Sequence, residues 1–74
     1  MTQKYLRLLR KAEELTQMEL GQKAGGTHPS RISALECGKA FGFHGELSRL
    51  AAALGYTGDP ADLMLEVSDD ARLD

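Results

Sequence analysis

The chain has 74 residues, 42% apolar and 27% charged, with a formal net charge of −2. That length allows one small domain burying only about 60% of its unfolded surface, a thin core of the kind that often gains stability from a partner subunit. The longest Ala/Leu run, Leu50–Leu54, falls far short of the roughly 18 residues a membrane helix needs, and the N-terminus lacks a basic-then-apolar secretory pattern. Cys37 is the only cysteine, which excludes an internal disulfide and suits a reducing cytoplasm.

The charge is unevenly spread. Residues 1–58 hold eight Lys/Arg against five Asp/Glu, a balance of +3; residues 59–74 hold one against six, a balance of −5. A mildly basic body with an acidic tail permits nucleic-acid binding by the body without demanding it.

The pattern along the chain is helical throughout. Val67 and Ile32 are its only Val or Ile, and no segment alternates with period two, so no strand is expected. A first helix is predicted from about Lys4 to Glu14, with Tyr5, Leu6, Leu9 and Ala12 on one face. A second is predicted over about 17–24. Thr16 and Glu19 have the spacing of a capping box, Leu15 and Leu20 that of a hydrophobic staple, and Gly25 closes the helix. A third is predicted over about 28–37. Pro29 suits its first turn, and either Thr27 or His28 is the cap. Ile32 and Leu35 point to the core, and Gly38 ends the helix. "KAFGFHG" reads as a loop from which Phe41 or Phe43 tucks inward. A fourth helix, from about Gly45 to Leu54, carries the stripe Leu47, Leu50, Ala51, Leu54. "DPAD" restarts a short last helix over about Pro60–Val67, and "SDDARLD" reads as a frayed, solvated end. The expectation is an all-α bundle of about five short helices. Residues 1–58 would be the main domain, and 59–74 a short helix and acidic tail available for dimerisation.

The segments "LTQMELGQKAG" (Leu15–Gly25), "HPSRISALECGK" (His28–Lys39) and "LSRLAAALGY" (Leu47–Tyr56), with Leu9–Arg10 before them, resemble the Cro and phage-repressor type of helix-turn-helix protein, the XRE family. The resemblance covers about residues 5–56. It implies a lambda-repressor-like fold and a transcriptional regulator, a repressor foremost. Such a protein binds two-fold symmetric double-stranded DNA as a homodimer, with its third helix in the major groove. It also implies an ion pair between Arg10 and Glu36. Two departures stand out. One extra residue lies in "GGT", since the family has six positions from its turn glycine to the anchoring isoleucine and Gly25 to Ile32 is seven. Gly21 stands where the family uses alanine, which weakens the second helix by up to about 1 kcal/mol.

With Ile32 and Leu35 inward, Ser30, Ala34 and Cys37 lie on the opposite face of the third helix, flanked by Arg31 and Ser33. The base-contact candidates are therefore Thr27, His28, Ser30, Arg31, Ser33 and Ala34. Arg31 alone can make a bidentate guanine contact, worth roughly 1–3 kcal/mol of discrimination. Gln17, at a positive helix end, and Lys39, just past the third helix, are candidates for phosphate. Tyr56, Leu63, Leu65 and Val67 are the dimer-interface candidates. His28, His44 and Cys37 match no zinc spacing, and no catalytic triad or phosphate-binding glycine motif is present. No enzyme activity, cofactor or small-molecule ligand is expected. The rival reading is an interaction module of the same fold whose partner is a protein, such as a toxin or a polymerase subunit.

Overall fold

The computed structural model describes residues 2–70. In chain order these are a strand β1 (Thr2–Lys4), four α-helices, a 3₁₀ helix and a second strand. The α-helices are α1 (Tyr5–Ala12), α2 (Gln17–Lys23), α3 (Pro29–Glu36) and α4 (His44–Leu54). The 3₁₀ helix is Pro60–Met64, and β2 is Glu66–Ser68. Two expectations are thereby corrected. The fold is not strictly all-α, and its α-helices number four among the described residues. Residues 71–74 of the expected acidic tail lie outside the described residues.

Local chemistry accounts for the helix starts. Thr16 and Glu19 make both halves of the capping box: the Glu19 N–H donates to Thr16 Oγ1 (3.0 Å) and the Thr16 N–H to Glu19 Oε1 (2.9 Å). Those bonds hold the Glu19 carboxyl below the ordinary carboxylate range. His28, not Thr27, caps α3; its Nδ1 accepts from the Ser30 N–H at 3.1 Å, and Pro29 takes the position that needs no donor.

All four α-helices end in one way. Each end has a residue with positive φ: Glu14 (56°), Gly25 (93°) and Gly38 (75°) directly follow the cap, and Gly55 (71°) is itself the cap of α4. The next N–H then reaches back five residues: Leu15 to Arg10, Gly26 to Gly21, Lys39 to Ala34 and Tyr56 to Ala51. This is the Schellman closure, which satisfies carbonyls the helix leaves unpaired. Three of the four left-handed positions are glycine; the fourth, Glu14, carries a side chain there.

Leu6, Leu20, Ile32, Leu35, Leu50 and Leu63 form the fully enclosed centre of the core. Leu63 was expected at a partner surface. The structure places it at 0% exposure under α1 and α4, so the segment after residue 58 completes the core of the same domain. The expected last helix also stops early. Asp59 caps a five-residue 3₁₀ turn, and the Leu65 carbonyl accepts from the Tyr5 N–H at 2.8 Å. That bond leads residues 66–68 alongside β1, antiparallel, with Thr2 opposite Ser68, Gln3 opposite Val67 and Lys4 opposite Glu66. Phe41 and Phe43 do not enter the core: they are 87% and 77% exposed.

Candidate nucleic-acid interface

The α2–turn–α3 unit is built on Gly21. Gly25 and Gly26 both have positive φ (93° and 102°), and this pair of left-handed steps absorbs the extra turn residue. The chain folds back so that the Gly26 and Thr27 N–H groups both donate to the Gly21 carbonyl, at 2.9 and 3.0 Å. The Thr27 carbonyl oxygen lies where a Cβ on residue 21 would be. The two departures from the family pattern are thus one structural feature: the longer turn presses its backbone against α2, and only glycine leaves room.

Below α3, Arg10 and Glu36 set the helix in place. Arg10 Nε donates to Glu36 Oε2 at 2.6 Å and Nη2 to Oε1 at 3.1 Å, while Nη1 donates to the Leu15 carbonyl at 2.7 Å. Gln17 Nε2 adds a bond to Glu36 Oε1 at 3.2 Å. The Glu36 side chain is 3% exposed and that of Arg10 12%. One buried carboxylate therefore joins α1, the start of α2 and the end of α3 through a bidentate pair. One N–H of the Gln17 side chain belongs to this network, which leaves its second N–H and the main chain for an outside anion.

Above it, α3 presents a face that no other element among the described residues covers. His28, Ser30 and Cys37 are exposed, and Thr27, Ser33 and Ala34 are partly so; Ile32 and Leu35 on the opposite side are at 0%. Lys39 is exposed just past the Gly38 turn, and it makes no ion pair among the described residues.

Arg31 is the exception on this surface. Its Nε donates to Glu46 Oε2 and its Nη2 to Glu46 Oε1, both at 2.9 Å, and Nη2 also donates to the Phe41 carbonyl at 2.8 Å. Its guanidinium lies 5.8 Å from the centre of the Phe43 ring. The Arg31 bonds, reinforced by the Phe43 N–H, hold the Glu46 carboxyl below its ordinary range, and Glu46 raises the Arg31 value in turn. The pair therefore stays charged at neutral pH. On the acid side its contribution is lost as pH falls through the depressed Glu46 value. A bidentate guanine contact by Arg31 requires these bonds to break. Glu46, Phe41 and Phe43 were not singled out as site residues from sequence. The signal was the spacing F-H-G-E, which sets Glu46 three residues after the α4 cap.

The dimer candidates are scattered by the fold. Tyr56 is partly buried; its hydroxyl donates to Asp62 Oδ2 at 2.6 Å, and its ring meets Tyr5 edge-on at 5.6 Å. Val67 is paired in the sheet, Leu63 is enclosed, and Leu65 stands 57% exposed.

Residues 4–64 match the family model described as a helix-turn-helix domain. The chain belongs to the helix-turn-helix domain family. This fold is typical of XRE-like DNA-binding proteins. Comparisons with the curated proteins and with the solved structures return no match. Among the described residues, no helix is long and apolar enough to cross a membrane, and no group of three or more His, Cys, Asp or Glu is placed to hold a metal ion. As a helix-turn-helix domain the chain has α2 and α3 joined by a turn through Gly25 and Gly26, and a third helix whose outward face carries small side chains.

Proposed function

We propose that this helix-turn-helix domain is a sequence-specific DNA-binding transcription regulator, a repressor foremost, that lays α3 into the major groove of a two-fold symmetric site. The observation that carries this reading is the uncovered face of α3, whose small side chains let the helix backbone approach base edges closely. Ser30 and Ser33 donate or accept to several bases, and Ala34 meets a thymine methyl. Thr27 and His28 stand at the leading end. Lys39 and the main chain at Gln17 take phosphates, which fix register without reading sequence. Arg31 acts mainly as a brace, and its Nη1, which makes no hydrogen bond among the described residues, is available to a phosphate.

A homodimer suits a site with two half-sites about one helical turn apart. Leu65 is the exposed apolar residue from which such contact would be built, with Val67 beside it.

Selection from pooled random duplexes at several salt concentrations tests the reading. The expected result is an enriched, two-fold symmetric sequence whose affinity falls steeply with salt. No enrichment together with salt-independent binding would overturn it. The Arg31 assignment has its own comparison. Arg31→Ala and Glu46→Gln should weaken binding alike, without changing the preferred base at any position. Loss of one base preference in Arg31→Ala alone would make Arg31 a reader.

A further inference from the structure

The loop between α3 and α4 carries two phenylalanines that the fold holds outward. Gly42 lies between them, and a Cβ there would overlap the Leu47 side chain. The backbone at residue 42 thus lies flat on the core. The two neighbours of Gly42 are turned away from that contact. Phe41 and Phe43 accordingly project to solvent, at 87% and 77% exposure.

This segment is braced. The Phe41 carbonyl is bonded by Arg31 Nη2, the Phe43 N–H donates to Glu46 Oε1 at 3.2 Å, and the Phe43 ring flanks the Arg31 guanidinium. The backbone beneath both rings, and the Phe43 ring itself, are therefore positioned before any partner arrives. Arg31 is the third residue of α3, so the brace ties the rings to the leading end of the helix proposed to enter the groove.

The charge bordering the rings favours one kind of partner. Residues 39–45 contain Lys39 and no acid, and the nearby Glu46 side chain is only 11% exposed and bonded to Arg31. We infer that Phe41 and Phe43 are an apolar DNA contact, a pair of rings beside α3 that wedges against sugars and bases bordering the groove. Duplex DNA offers both halves of the match: phosphates for the cations, and base faces that phenyl side chains can unstack. This rests on the DNA-binding reading and adds to it a contact that no charged group can supply.

The test uses the full chain, the doubly substituted Phe41→Ser/Phe43→Ser chain and Lys39→Ala, on the duplex that selection enriches. Both rings are exposed, so the double variant should melt with the parent. Its affinity should fall about tenfold or more at every salt concentration, with the salt slope unchanged. Lys39→Ala should instead flatten the slope. A 2-aminopurine placed at successive steps flanking the site should brighten on binding the parent chain and not the double variant. Unchanged affinity in the double variant, with Lys39→Ala still impaired, would overturn the ring contact and leave the DNA reading standing. Failure of the parent chain itself to bind any duplex would overturn both. Intact DNA binding with self-association lost in light scattering would assign the rings to a second copy of the chain and overturn the proposal.

Discussion

The Thr27 carbonyl oxygen occupies the space into which a Cβ at Gly21 would project. The residue that lengthens the turn and the glycine in α2 are therefore mutually dependent. Gly21→Ala gains up to about 1 kcal/mol of helix propensity but must displace backbone, and overpacking of that kind costs typically 1–3 kcal/mol. Net destabilisation is expected. Deleting Gly26 shortens the turn to the family length and should relieve the clash. In chemical denaturation, Gly21→Ala combined with the Gly26 deletion should lose less than the two separate losses added together. Strict additivity would mean that the turn and Gly21 are independent.

Glu14 ends α1 at φ 56°, in the conformation that glycine supplies at the ends of the other three α-helices. A side chain there costs roughly 1–2 kcal/mol, partly recovered because glycine is more flexible when unfolded. Glu14→Gly should stabilise the domain by about 0.5–1 kcal/mol, seen as a rise of a few degrees in the melting temperature. Glu14→Ala, which keeps a Cβ, should give no such rise.

Arg10 and Glu36 are a bidentate pair whose carboxylate is almost wholly enclosed. Removing one partner strands the other, so Arg10→Met or Glu36→Gln should each cost roughly 3–5 kcal/mol. A double apolar replacement, Arg10→Met with Glu36→Leu, should cost clearly less than the summed singles, because no charge is then left unpaired. The loss should appear in denaturant midpoints, and DNA affinity should suffer only through the folded fraction.

Tyr56 donates to Asp62, and ionising it would set two negative charges side by side; its hydroxyl is pushed up to about 12. A raised value means that the stabilisation is complete below the ordinary tyrosine range and is lost as pH climbs through about 10 to 12. Phenolate absorbance should show one of the two tyrosines titrating late, and Tyr56→Phe should abolish that step. Stability of the parent chain should decline over the same interval, and that of Tyr56→Phe should not decline for this reason.

What could be read from the chain alone was local. The Thr16–Glu19 box, Pro29, and the glycines after α2, α3 and α4 act within five residues of themselves, so α2, α3 and α4 were placed to within a residue or two. Ile32 and Leu35 declared the inward side of α3, and hence its outward face, by helical spacing alone. The family resemblance was legible for the same reason, since its motif is made of these caps, anchors and turns.

The rest was decided by neighbours distant in sequence. Strands of three residues have no period to detect, and β1 pairs with β2 only because Leu63 anchors in the core and Leu65 reaches Tyr5. Phe41 and Phe43 are apolar in composition yet face water, because Gly42 lies against Leu47. Arg31 had the reach of a base reader, and its fork was taken by Glu46, fifteen residues on. The sequence by itself determined the four α-helices, the Thr16–Glu19 box and the face that α3 turns outward, because those depend on contacts within a turn or two. Tertiary structure alone decided which apolar residues are enclosed, which charges are already paired, and that an added turn residue requires a glycine in α2, because each depends on which surfaces the fold brings into contact.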